Sequence, residues 1–313
     1  MPSSPPTKGL TLRSALIVLL SFAALAAAGC ARSSTSSSDG GAKRPALTIG
    51  AIPDQDPEQL ARLYPVVAAD LSRRLGVEVR YRPVTDYAAA VVAFKAGDLD
   101  LVWFGGLTGV QAEHQVPGAR PLAQRDIDAR FHSLFIANTG AGLKPIRDAA
   151  GLKELAGRRF TFGSESSTSG RLEPERFLRQ AGVTEGDFRG RPGFSGSHDA
   201  TIDLVTAGSY EAGALNEQVW QERLAAGKVD RSKVRVLWRT PAYHDYYWLA
   251  RPDLDARLGA GFTDRVRRAL LGLDDPKVLR LFAARRFVGV GRHDHDQTVT
   301  IARDLGLLEK AGA

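Results

Sequence analysis

The chain of 313 residues holds one cysteine, one methionine and only 8% aromatic residues. A single cysteine, Cys30, excludes an internal disulfide, so stability has to come from a core. The six histidines show no His-x-x-x-His metal spacing. No Gly-x-Ser-x-Gly elbow and no Gly-x-x-x-x-Gly-Lys phosphate loop occur, which removes two common routes to hydrolase and nucleotide chemistry. Basic helices and aromatic-basic alternation are also missing, so nucleic acid is not an expected partner. No apolar run reaches the roughly 20 residues that a bilayer span needs.

What is present begins with the N-terminus. Lys8 and Arg13 give a basic start, Leu16 to Leu20 with Phe22 an apolar heart, and Ala27-Ala28-Gly29 a small-residue cleavage site. Residues 1–29 are read as a signal peptide. The window Leu25 to Cys30 resembles a bacterial lipobox, with Ala27 at the position more often held by Leu. That resemblance makes Cys30 the lipid-bearing first residue of the mature protein, anchored outside the cytoplasm. Residues 30–44, rich in Ser, Gly and Ala, read as a flexible leash. Setting aside the leader removes two bases and no acid from 42 bases and 35 acids, leaving a net charge of about +5. Such a surplus favours anionic small-molecule partners.

The body of about 270 residues alternates strands with helices. Leu47 to Ile52 reads as a buried strand. Asp56 caps the next helix, with Pro57 at its first position, Gln59 three residues after the cap, Pro65 as an expected kink and Gly76 as its stop. Val77 to Tyr81 is a strand, Tyr87 to Ala96 a helix, and Leu101 to Phe104 a strand stopped by Gly105-Gly106. A second half repeats this: a strand at 159–162, helices at 169–181 and 199–206, and a strand at 211–215. The pattern predicts α/β architecture with mostly parallel sheets. Aligning Ala96-Gly97 with Ala207-Gly208 sets Tyr87 opposite His198, each at a helix start facing a crevice.

The chemistry concentrates in Gly163-Ser164-Glu165-Ser166-Ser167-Thr168-Ser169-Gly170. It follows a strand and opens a helix, so free N–H groups and the positive dipole end converge with three hydroxyls. One serine is enough for a cap; three exceed it and point to an anion site. Ser195 to Asp199 and Tyr243 to Trp248 are candidates to join it.

Ser-Thr-Ser-Gly at 167–170, Gly-Ser-His-Asp at 196–199 and Asp245 ahead of a strand resemble the phosphate/phosphite/phosphonate substrate-binding proteins of ABC importers. The stretch Ile52 to Glu58 is similar to a branch described as selenate-binding. The resemblance runs from about Leu47 to Leu308. It implies a type II periplasmic-binding fold, with lobe one at 45–135 plus 247–313 and lobe two at 136–246. The two crossings would lie near Phe131 to Ile136 and near Tyr246 to Ala250. It further implies that the ligand contacts are Tyr87, Ser167, Thr168, Ser169, His198, Glu217 and Asp245. At the first crossing Phe131-His132 stands where relatives often have tyrosine, and His132 becomes the substitute contact.

The resemblance therefore implies a monomeric, lipid-anchored, non-enzymatic receptor without cofactor or bound metal. It would capture a small tetrahedral oxyanion (phosphonate, phosphite, phosphate or selenate) and deliver it to permease subunits. Glu217 and Asp245, as carboxylates, would accept from a protonated oxygen, which favours phosphorus anions over selenate. Two rivals remain: a ligand sensor docking on a membrane signalling partner, and a hydrolase using Ser169, His198 and Asp245. The Arg292-His293-Asp294-His295-Asp296 turn is expected to be a solvated cap rather than a metal patch.

Overall fold

The computed structural model describes residues 46–308. The expected leader, Cys30 and the leash lie outside them. Alternation of apolar runs with capped amphipathic segments produces β1 (Leu47–Ala51), α1 (Pro57–Leu75), β2 (Val79–Tyr81), α2 (Tyr87–Ala96), β3 (Leu101–Phe104), α3 (Gly106–Gln115) and β4 (Arg120–Arg125). Asp56 caps α1 by accepting from the amides of Glu58 and Gln59, and Gly76 ends it in a left-handed conformation. The reciprocal half of a capping box is absent: Gln59 bonds Gln55, and the Asp56 amide donates to Asp199. Pro65 sits inside α1 on its exposed side, where the missing hydrogen bond faces water, and the helix continues through it.

The chain then enters a second sheet with β5 (Ser133–Asn138), β6 (Phe160–Phe162) and, after a π-turn at Thr168–Leu172, α4 (Glu173–Gln180). It continues through β7 (Gly193–Phe194), α5 (His198–Thr206), β8 (Ala212–Asn216), α6 (Glu217–Ala225) and β9 (Val234–Arg239). β10 (Tyr247–Ala250) returns to the first sheet. α7 (Leu254–Leu258), α8 (Phe262–Leu271), α9 (Pro276–Leu281), β11 (Phe287–Val288) and α10 (Asp296–Asp304) complete the described chain.

The first sheet has the order β11-β4-β10-β3-β1-β2 and the second β7-β6-β8-β5-β9. β1 pairs parallel with β2 and β3, while β10 inserts antiparallel between β3 and β4. In the second sheet β5 plays that antiparallel part between β8 and β9. Two segments therefore cross between sheets, and they touch each other through an antiparallel bridge, Phe131 to Tyr243. Each sheet has its own apolar core. Leu47, Ile49, Phe104 and Trp248 belong to the first; Phe135, Phe160 and Phe162 belong to the second. A separate small cluster joins the two halves: Leu107 and Val110 of α3, Leu172 of the π-turn, and Ile301, Ala302 and Leu307 in and after α10.

The result is a pair of α/β lobes with helix N-termini of both facing one crevice, the layout of a type II periplasmic-binding fold. Among the described residues no helix is long and apolar enough to cross a membrane.

Candidate functional site

Four helical starts build the site. The first is the π-turn. Ser167 caps it, its hydroxyl accepting from the Gly170 amide at 2.9 Å, and the widened turn leaves N–H groups unpaired at its opening. Gly163 and Gly170 are there because their backbones touch. A Cβ on Gly170 would lie 3.0 Å from the Gly163 Cα, and Gly163 donates to the Gly170 carbonyl at 2.9 Å. That contact folds the hydroxyl run back toward the other lobe. Ser167, Thr168 and Ser169 are all buried.

The second start is α3, which opens at Gly106 without a side-chain cap. Its first two free amides are taken by site residues: Gly106 N–H donates to Asp245 Oδ1 at 2.8 Å, and Leu107 N–H donates to Thr168 Oγ1 at 2.9 Å. The third is α5, capped by Ser197, with His198 as its first residue. The His198 amide donates across the crevice to the Asp54 carbonyl at 3.1 Å. The fourth is α2, capped by Asp86, with Tyr87 first and buried. Tyr87 and His198 thus hold matching places at helix starts, as the internal echo predicts.

His198 is fully buried, which pushes its imidazole down to about 3, so the ring is neutral. Its Nδ1 accepts from the Asn216 amide at 3.4 Å, which assigns the proton to Nε2; that nitrogen lies 3.5 Å from Ser169 Oγ. Asp245 is held on three sides. Its amide donates to Asp128, its carbonyl accepts from His295 Nε2 at 2.9 Å, and Oδ1 takes the Gly106 amide. Burial raises its carboxyl to about 7, against the opposing hydrogen bonds from Gly106 and Thr168. Among the six converging residues, two buried side-chain atoms have no hydrogen-bond partner: Asp245 Oδ2 and the Tyr87 hydroxyl. Native interiors rarely leave such groups unpaired, so both are available to a ligand.

The structure brings Tyr87, Ser167, Thr168, Ser169, His198 and Asp245 together. The other two expected contacts have protein partners of their own. Glu217 opens α6, but both its oxygens are taken by Arg239 at 2.7 Å, because β9 runs beside that helix start. His132 is half-buried, with Nδ1 2.7 Å from the Thr240 carbonyl. The hydrolase arrangement does not assemble either. His198 Nδ1 meets the Asn216 amide instead of Asp245, and the Ser169 hydroxyl is at the limit of hydrogen-bond range from the ring.

Several contributors were not expected. The α3 amides fall where the glycine pair was read only as a strand stop. Asp54, buried in the β1–α1 loop, has a carboxyl raised to about 7 by burial, against the Tyr246 hydrogen bond. Tyr246 in turn accepts from Asn216 Nδ2 at 3.1 Å. The turn at 292–296 is solvated at His293, which pairs with Asp296, but not at His295. That ring is buried, lowered to about 4 by desolvation, and props the Asp245 backbone. Among the described residues no cluster of three or more His, Cys, Asp or Glu is arranged to hold a metal ion. Beside the hydroxyl turn a cleft of about 580 Å³ opens to solvent, lined by Asp86, Tyr87, Gln111, Ser164, Arg171 and Phe194 among others.

The family profile described as "ABC transporter, phosphonate, periplasmic substrate-binding protein" matches residues 49–297. The "Probable ABC transporter phosphite binding protein PhnD1" of Prochlorococcus marinus is 47% identical over 268 residues, 84% of this chain and 90% of its own. The phosphate-import protein PhnD of Mycolicibacterium smegmatis is 26% identical over 205 residues, 62% of each chain. The solved structure of the P. marinus PhnD1 with methylphosphonate superposes with a TM-score of 0.81, covering 84% of this chain and 98% of that one. A binding component of a Pseudomonas aeruginosa ABC phosphonate transporter, 18% identical, shares the fold with a TM-score of 0.69 over 85% of this chain and 97% of its own. The chain belongs to the family of periplasmic substrate-binding proteins of phosphonate ABC transporters, which bind and do not transform their ligands.

Proposed function

We propose that this receptor captures phosphite or a phosphonate with a small substituent. In this reading the lobes, 45–135 plus 247–313 and 136–246, close over the anion while a lipid on Cys30 holds the protein at the outer face of the membrane. The observation that carries the ligand assignment is the pair of buried, unpartnered atoms, Tyr87 hydroxyl and Asp245 Oδ2, beside three hydroxyls and a neutral His198 N–H. A tetrahedral oxyanion offers acceptors to the hydroxyls, the imidazole and the turn amides. Its protonated oxygen offers a donor to Asp245, whose carboxyl is balanced near neutrality.

Selenate and sulfate bring no proton, so they fit only when Asp245 itself is protonated. An unpaired buried acceptor costs roughly 1–3 kcal/mol, about 5- to 150-fold in affinity. Closure is supported by bonds joining the halves, among them Leu107 to Thr168, His198 to Asp54, and the Asp56 amide to Asp199 Oδ2 at 2.9 Å.

The test is calorimetric titration of the chain from Ser34 to Ala313 against phosphite, methylphosphonate, phosphate, sulfate and selenate. Tight binding of phosphite or methylphosphonate at pH 8.5, where Asp245 is ionised, with sulfate and selenate at least 5-fold weaker, is expected. Selenate binding as tightly as phosphite would overturn the assignment.

A further inference from the structure

We propose that Asp54 is a second acid of the oxyanion site, engaging the bound ligand as a neutral carboxylic acid, so that capture draws a proton into the crevice. The inference rests on the reading of the crevice as a phosphorus-oxyanion site. Asp54 is only 5% exposed and forms no ion pair among the described residues.

The titratable and charged groups that act on it lie on six elements: Tyr64 of α1, Tyr81 at the end of β2, Tyr87 of α2, Arg125 of β4, Glu222 of α6, and Tyr246, its hydrogen-bond partner, at the entry to β10. Four are phenols and one is another acid. Arg125 is the sole cation of the set. Its guanidinium is committed to Asp128, with Nη2 at 2.6 Å and Nε at 2.8 Å, and a further nitrogen meets Gln218. It is also sandwiched among Trp103, Phe131 and Tyr246. A buried carboxylate in that company has hydrogen bonding but no counter-ion of its own, which disfavours the charged form.

Position ties Asp54 to the ligand. Its carbonyl accepts the His198 amide from the other lobe, and its phenol partner Tyr246 is bonded to Asn216, whose amide fixes the His198 ring. Asp54 and Asp245 both act on Tyr87, whose hydroxyl is unpartnered. An anion delivered beside Tyr87 therefore enters the field of both acids. Ionised, Asp54 repels it; protonated, it donates an O–H to an anionic oxygen.

With its carboxyl at about 7 in the ligand-free protein, Asp54 is largely ionised at pH 8. An incoming anion raises that value further. The step is protein carboxylate plus one solvent proton plus ligand, giving a carboxylic acid hydrogen-bonded to ligand. At pH 5.5 the acid is already protonated and this group takes up nothing.

The experiment is titration of the full chain with methylphosphonate at pH 8 and pH 5.5 in buffers of different ionisation enthalpy, which counts protons exchanged. The ligand's own protonation is common to wild type and Asp54→Asn, so their difference isolates Asp54. Expected is an uptake at pH 8 close to one proton greater in wild type than in Asp54→Asn, with no difference at pH 5.5. Above pH 7, wild-type affinity should fall up to tenfold more per pH unit than that of the variant. Equal proton counts at pH 8 in a variant that still binds would overturn the proposal while leaving the function intact. No binding of any phosphorus oxyanion by wild type would instead remove the functional reading, and this inference with it. Should Asp54→Asn fail to fold, carbon NMR of the wild-type Asp54 carboxyl decides. A pKa that rises on adding methylphosphonate supports the assignment, and one that stays or falls refutes it.

Discussion

Replacing Thr168 by Val tests whether a bond between the lobes contributes to affinity. The side chain keeps its shape and loses only the hydroxyl. In the structure that oxygen accepts the Leu107 amide at 2.9 Å, and the hydroxyl also helps hold the Asp245 carboxyl. Thr168 is 2% exposed and Leu107 fully buried, so in the closed form no water replaces what is lost. An amide left unpaired costs about 1–3 kcal/mol, and a lost hydrogen bond near a charged ligand costs a similar amount. Taking the lower part of each range gives about 2–4 kcal/mol, or roughly 30- to 900-fold in dissociation constant. In an open, ligand-free protein both groups meet water, so its thermal stability should hardly change. Calorimetric titration with methylphosphonate, paired with a melting curve of the empty protein, reads both quantities. An affinity within threefold of wild type would show that this bond is not part of capture, and the reasoning would fail.

Two further outcomes follow from buried groups. Asp245 is raised from 3.8 to about 7 by burial, so its penalty on the native state is absent below pH 4, grows from 4 to 7, and is complete above. In the conformation described, Asp245→Asn should therefore stabilise the protein at pH 8 by up to about 4 kcal/mol, less where opening of the empty protein exposes the carboxyl, and converge with wild type near pH 4, while weakening ligand binding. Denaturant titration at the two pH values checks this; a variant no more stable at pH 8 contradicts the assigned burial cost. Gly109→Ala would drive a Cβ into the Tyr247 phenol, which is fully buried and donates to Glu113 at 2.6 Å. A loss of about 1–3 kcal/mol in unfolding free energy is expected from such overpacking, and an unchanged melting temperature would contradict it.

Local chemistry was legible in the sequence; pairings between lobes were not. Asp56 and Gly76 announce the ends of α1 because a cap is a contact over a few residues, and α1 and α2 lie where local signals put them. The hydroxyl run was visible for the same reason. The helix expected from 169 to 181 instead opens with a π-turn, since Gly163 and Gly170 press together at a spacing that no helical pattern encodes. α3 was missed because its cap is Gly105, which carries no side chain to signal a start. Asp245 meets Gly106 across 139 residues of chain, a distance no local pattern spans. Glu217 and Arg239 are 22 residues apart, and only the strand pairing that sets β9 beside α6 turns that carboxylate away from the six residues that do converge.

The small apolar cluster around Leu172 has a practical consequence for anyone building a sensor from this protein. α10 follows the last strand and leans on both α3 and the hydroxyl-bearing π-turn, with Gln111 also holding the Leu307 carbonyl at 2.6 Å. The end of the described chain is thereby packed against the turn where we propose the anion sits. A fluorophore joined beyond Leu308 would move with that joint and report occupancy directly, whereas a bulky fusion there would load the same joint and blunt the response. Cutting into Ile301 or Leu307 to make room for a tag would unfasten the two halves from their shared seam.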